Sequence, residues 1–145
     1  MTTRKTEQQA RLDKLRSIET FAECTDEELA RIDSLLAETN VSAGRTLMAE
    51  GKPGLEFMVI TEGTATVTRD GQTLGTVGPG DIVGEMALID EELRARAATV
   101  TADTDMRVYV MNAGEFTSLL REVPAVRQKI MRTKAIRNHP AGRKA

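Results

Sequence analysis

The sequence predicts a mainly β domain, a sandwich or jelly roll of short strands flanked by N- and C-terminal α-helices. Three observations carry this. Glycines recur at 44, 51, 54, 63, 71, 75, 78, 80 and 84 and punctuate the middle of the chain. Between them lie runs rich in Val, Thr and Ile, at 46–49, 56–61, 64–69 and 73–77, and residues 64–68 alternate with a period of two. On either side of this region the apolar residues return to helical spacing.

The elements follow in order. In residues 5–20 only Leu12, Leu15 and Ile18 are apolar at a regular spacing. Their interval of three predicts an amphipathic helix with a narrow stripe, packing on its own domain rather than on a partner. Thr25 followed by Glu28 is a capping box, and the helix it opens presents Leu29, Ile32, Leu35 and Leu36, ending near Glu38. The character changes at Asn40. Asp70-Gly71 marks a hairpin. Strands resume at 96–101 and 106–111. Asn112 suits the N-cap of a helix carrying Phe116, Leu119 and Leu120, and Pro124 suits the first turn of a last helix with Val126, Ile130 and Met131. Pro140 and Gly142 end the order. The expected organisation is a helical extension at 1–22, the β-roll domain at 23–122, and a C-terminal helix with a basic tail at 123–145.

At 145 residues the chain accommodates one domain with small extensions. Aromatic residues are 3% of it, with no Trp, so the core rests on Val, Ile, Leu, Met and Ala. The formal charge of -2 argues against bulk nucleic-acid binding. From Arg121 onward, however, basic residues run against Glu122 alone, which reads as a solvated helix face or tail. Cys24 stands alone, which excludes an internal disulfide and a cysteine metal cluster and predicts a buried, inert thiol. Residues 1–9 are polar, and no apolar run approaches a membrane span. The expectation is a cytoplasmic protein without membrane contact.

The stretch Val83-Gly84-Glu85-Met86-Ala87-Leu88, followed by Arg96-Ala97-Ala98-Thr99-Val100, carries the chemistry. Glycine lets backbone approach a ligand closely, because it has no Cβ. Met86, Ala87 and Leu88 can start a short helix whose free N–H groups face an anion. Arg96 adds a two-pronged, charge-assisted contact to the same phosphate. Glu85 would repel a phosphate and suits a pair of ribose hydroxyls. Phosphate pairing by Arg96 is worth about 1.5–3 kcal/mol and a helix N-terminus about 0.3–1 kcal/mol. Micromolar affinity needs about 8 kcal/mol, so base and sugar contacts must supply the remainder.

These residues resemble the phosphate-binding cassette of cyclic nucleotide-binding domains, over roughly residues 24–136. The resemblance implies a double-stranded β-helix, or jelly roll, of about eight strands. It implies a ligand-binding set of Gly84, Glu85, Met86, Ala87, Arg96, Ala97 and Ala98. Gly84, Met86 and Ala87 would offer backbone donors, with Arg94 as a second arginine candidate. Family members that prefer cyclic GMP often carry Thr directly after the arginine. Ala97 stands there, which favours cyclic AMP over cyclic GMP as ligand, with no further cofactor. A residue of the C-terminal helix closes the family's pocket, and Met131 and Ile136 are the lid candidates. The sequence also departs from the family. Val83 replaces the usual aromatic residue and Ala95 the frequent proline. The link from Gly84 to the arginine is two residues longer than in the commonest form, and it holds Asp90, Glu91 and Glu92.

The expected function is a non-enzymatic cyclic nucleotide sensor that moves its C-terminal helices and signals to a separate effector protein. The sequence ends at Ala145, which leaves no room for the helix-turn-helix of the DNA-binding relatives, so sequence-specific DNA binding is not expected. The alternative is the same fold without nucleotide, acting as an interaction or dimerisation module. Val123, Val126 and Ile130 form a short apolar edge as the candidate homodimer contact. Catalysis has little to stand on: His139 is the single histidine, which excludes a histidine metal site and a buried triad.

Overall fold

The computed structural model describes residues 6–51, 56–84 and 98–137, with side chains through Arg132. Helix α1 (Glu7–Arg16) starts where the Thr6 hydroxyl accepts the Gln9 N–H at 3.0 Å. A 3-10 turn (Glu19–Phe21) leads to α2 (Asp26–Leu35). The predicted capping box opens α2: Thr25 Oγ1 accepts the Glu28 N–H at 3.1 Å, and the Glu28 carboxylate accepts the Thr25 N–H at 2.9 Å. Eight strands follow: β1 (Ala37–Val41), β2 (Thr46–Met48), β3 (Glu56–Glu62), β4 (Ala65–Arg69), β5 (Gln72–Val77), β6 (Ile82–Val83), β7 (Thr99–Ala102) and β8 (Met106–Asn112). The chain closes with α3 (Ala113–Glu122) and α4 (Pro124–Arg137).

The strands form two four-stranded antiparallel sheets. Sheet I has the order β1-β8-β3-β6 and sheet II the order β2-β7-β4-β5. This is the jelly roll with flanking helices that the glycine-punctuated runs predict. Two findings depart from the expected elements. Helix α2 stops at Leu35, not near Glu38, and residues 37–41 pair with β8 as an edge strand. The two-residue β6 pairs with β3 through Met58↔Val83 and Val59↔Ile82.

The middle of sheet I is buried on both faces, and β3 shows how. Phe57, Met58, Val59 and Ile60 are all buried, but alternate residues point to opposite faces. Met58 and Ile60 join the core between the sheets, with Ala65, Val67, Val83, Val100, Ala102, Met106 and Val108. Phe57 and Val59 join a second core under the helices, with Leu12, Leu15, Phe21, Leu29, Ile32, Phe116, Leu119, Val126 and Ile130. Burying each such side chain contributes about 1.5–3 kcal/mol. The Phe57 and Phe116 rings stack with centroids 4.6 Å apart, which seats α3 on β3. The narrow stripe of α1 thus packs on its own domain, as its spacing predicts.

One expectation is overturned here. Val123, Val126 and Ile130 are 1%, 0% and 0% exposed, inside the helical core. They do not form a free apolar edge, because α4 packs on α3 and the 3-10 turn and these side chains are spent inside the helical core. A homodimer contact on this edge is therefore not available.

Ion pairs tie the helices at the rim. Arg11 joins α1 to Asp33 of α2 at 3.0 Å, and Arg31 joins α2 to Glu122 of α3 at 2.9 Å. Arg16 pairs with Asp26. Lys129 of α4 reaches the 3-10 turn region: its Nζ donates to the Glu19 carbonyl at 2.8 Å and to Glu19 Oε1 at 2.9 Å, and pairs with Glu23 Oε2 at 3.1 Å. These partners, Glu19 first, raise the Lys129 pKa above the ordinary lysine value. Cys24 is buried, and burial pushes its thiol up to about 11, in line with an inert cysteine.

Candidate functional site

In sequence the predicted cassette follows β6 and precedes β7. Its approach is built by the turn at residues 78–81. Pro79 and Gly80 take the central positions, Gly80 has φ +91, and the Asp81 N–H donates to the Gly78 carbonyl at 3.0 Å. That is a type II turn, in which proline pre-sets the first central residue and only glycine readily adopts the second. The Asp81 carboxylate accepts the Gly78 N–H at 2.8 Å, and the turn is fastened to β3 through Ile60 N–H to Asp81 carbonyl at 2.9 Å.

Strand β6 leaves this turn with Ile82 in the helical core and Val83 in the inter-sheet core. It ends at Gly84, whose φ of +90 lies in the left-handed region. A side chain would be strained there, so the glycine is a backbone requirement. The chain re-enters at Ala98, which packs against the inter-sheet core, and continues as β7 in the middle of sheet II. Residues 85–97 thus connect an edge strand of one sheet to a central strand of the other.

Of the predicted site residues, Gly84 and Ala98 are placed at these two ends. Glu85, Met86, Ala87, Arg94, Arg96 and Ala97 lie outside the described residues, as do Asp90, Glu91 and Glu92. Of the lid candidates, Met131 sits on α4 and is 40% exposed. Ile136 falls within α4, and its side chain lies outside the described ones.

A contact the sequence does not announce lies where β7 begins. The Glu50 N–H donates to Thr99 Oγ1 at 3.0 Å. The Glu50 carboxylate accepts the Asp70 N–H, at 3.1 Å and 3.3 Å to its two oxygens. Asp70 (φ +51) and Gly71 (φ +80) are the central residues of the β4–β5 hairpin, both at positive φ as a type I′ turn requires. Glu50 therefore links the segment after β2, the start of β7 and the hairpin tip, and its partners are 49 and 20 positions away. No local pattern reports contacts of that range.

Among the described residues no group of His, Cys, Asp and Glu could hold a metal ion, and no helix is long and apolar enough to cross a membrane.

The described strands and helices define a helix-flanked jelly roll of two four-stranded sheets. A model of the family described as "Cyclic nucleotide-binding domain" matches residues 38–123, more than half of the chain, and the chain belongs to that family. It is similar to a cAMP-dependent protein kinase regulatory subunit of Mycosarcoma maydis, 32% identical over 122 residues that cover 79% of this chain and 23% of that one. It is also similar to the cGMP-dependent protein kinase egl-4 of Caenorhabditis briggsae, 30% identical over 97 residues, 67% of this chain and 13% of that one. The chain thus spans less than a quarter of the length of these two relatives. Among solved structures, it shares its fold with the regulatory subunit of a cAMP-independent protein kinase A from Trypanosoma brucei, with a TM-score of 0.79 and 21% identity, covering 88% of this chain and 46% of that one. A variant of that protein with three substitutions, one of them to arginine, is bound to cAMP and matches with a TM-score of 0.78 at 22% identity, covering 92% and 48%.

Proposed function

We propose that this chain is a non-enzymatic sensor module that binds cyclic AMP in preference to cyclic GMP and signals to a separate effector protein through its C-terminal helices. In this reading Gly84, Met86 and Ala87 supply backbone donors, Arg96 pairs with the cyclic phosphate, and Glu85 takes the ribose hydroxyls. Arg94 is held in reserve, Ala97 and Ala98 border the base, and Met131 and Ile136 close the pocket. The observation that carries it is Gly84 at φ +90, at the end of β6, heading the Gly-Glu-Met-Ala segment of a chain in this family.

The coupling to the helices is supported by the two residues of β6. Ile82 shares a core with Val126 and Ile130 of α4, while Val83 belongs to the core that Ala98 packs against. In this reading a shift at the cassette stem passes to both cores through Ile82 and Val83. A ligand displaces that equilibrium only by its difference in affinity for the two arrangements.

The test is thermal unfolding with cyclic AMP, cyclic GMP and linear AMP. At a hundred times its dissociation constant a ligand adds about 2.7 kcal/mol of stability. The expected order of shifts is cyclic AMP, then cyclic GMP, then linear AMP. Equal or absent shifts would reject the reading.

A second reading, the same fold without nucleotide, has a specific observation behind it. The trypanosomal protein described as cAMP-independent matches as well as its cAMP-bound, arginine-bearing variant, so the fold alone does not decide the ligand. The acids Asp90, Glu91 and Glu92, in a link two residues longer than the family's commonest form, favour it too. Absence of any shift with either cyclic nucleotide at millimolar concentration would select it.

A further inference from the structure

We infer that Glu50 and Thr99 are positioning residues of the nucleotide site, acting as a clasp at the point where the chain returns from the cassette to β7. The inference rests on the nucleotide-binding reading above. Thr99 is three residues along the chain from Arg96, and it is the first residue of β7. Its backbone is in register with Thr68 of β4 on one side. On the other side the β2–β7 ladder is irregular between Thr46 and Met48, and its last matched pair is Met48↔Val100. Thr99 therefore has no strand partner in β2, and its hydroxyl takes over by accepting the Glu50 N–H at 3.0 Å.

Glu50 extends the clasp. The Asp70 amide sits at the first central position of a two-residue hairpin turn, where the strand ladder offers it no acceptor. The Glu50 carboxylate fills that role with both oxygens. A hydrogen bond to an ionised acceptor is roughly twice as strong as a neutral one. Thr99, the loop after β2 and the hairpin tip are thus held as one unit. Glu50 and Thr99 are half-buried and outside both cores, so their hydrogen bonds rather than their packing account for their placement. Binding residues held by a rigid second layer keep their geometry, and a loosened layer lowers affinity without unfolding the domain.

The experiment is calorimetric titration of the full chain with cyclic AMP, alongside hydrogen exchange without nucleotide. Thr99→Val keeps the branched shape and removes the acceptor. It is expected to weaken binding about fivefold, the effect of one ordinary hydrogen bond, and to speed exchange of the Glu50 amide. Thr99→Ser keeps the hydroxyl and is expected to restore both. Glu50→Ala, expected to weaken binding about tenfold through the charge-assisted bond, serves if Thr99→Val proves too unstable to titrate. Wild-type affinity in Thr99→Val or Glu50→Ala overturns the inference, as does an equal loss in Thr99→Ser. No heat with the wild type overturns the binding reading and takes this inference with it, so the two failures are distinct.

Discussion

Gly63 shows how sharply a single residue is specified here. Its φ is +90, and a Cβ would stand 2.4 Å from the Asp105 carbonyl oxygen and 2.8–2.9 Å from Met106 atoms. The obstacle is largely backbone, which cannot rotate away. Gly63→Ala is expected to cost about 2–4 kcal/mol in denaturant unfolding, from strain and overpacking together. Gly75, in β5, has ordinary φ and nothing within 4 Å of the same added atom. Gly75→Ala should be neutral or stabilising by up to about 1 kcal/mol. If the two substitutions cost the same, the close approach of the β3–β4 and β7–β8 corners is wrong. Cys24 supplies a second check. Its pKa is raised from the ordinary 9.0 to about 11, chiefly by burial, so the folded state favours the neutral thiol. Stability from this group is complete below pH 9.0 and declines as pH rises toward about 11. A thiol reagent should label Cys24 slowly in the folded protein and fast in denaturant, and Cys24→Ser should remove that part of the alkaline decline.

At the scale of elements, helix caps carry information that both sequence and structure express. Asn112 Oδ1 accepts the Glu115 N–H at 2.8 Å, and the Glu115 carboxylate accepts the Asn112 N–H at 3.0 Å. Asn112→Ala should cost about 1 kcal/mol in unfolding, with the loss confined to α3 in hydrogen exchange. An unchanged α3 would contradict its capping role. The Arg31 hydrogen bond holds Glu122 below the ordinary carboxylate value of 4.5. The stability it lends the α2–α3 contact is present above that value and fades as pH falls through the lower folded one. Elements with local signals were legible from sequence: α2 through its capping box, α3 through Asn112 as N-cap, the β4–β5 hairpin through Asp70-Gly71, α4 through Pro124. Strand β1 was not, because Ala-Glu-Thr-Asn-Val has weak strand preference and exposes nearly every residue. It forms because β8 offers a partner edge. Strand β6 has only two residues, too few for any period to register. The apolar edge of α4 was seen but misread, since spacing identifies a buried face without saying what buries it.

Across the whole molecule, β3 and β6 bury alternate side chains in two different cores, and the proposed coupling of site to helices rests on that arrangement. The candidate site was legible as a pattern of residue types, from Gly84 to Val100, since glycine, helix start, acid and arginine each have a chemical reason. The clasp of Glu50 and Thr99 was not, because it joins residues 49 positions apart in the chain. Whether Arg96 holds a phosphate is the claim on which the proposed function turns. The most direct test is a calorimetric titration of cyclic AMP into the wild type and into Arg96→Ala. The account predicts saturable binding by the wild type and a loss of about ten- to a hundredfold in the variant, the worth of one charge-assisted phosphate contact. Equal affinity in the two proteins, or no binding by the wild type, would contradict it.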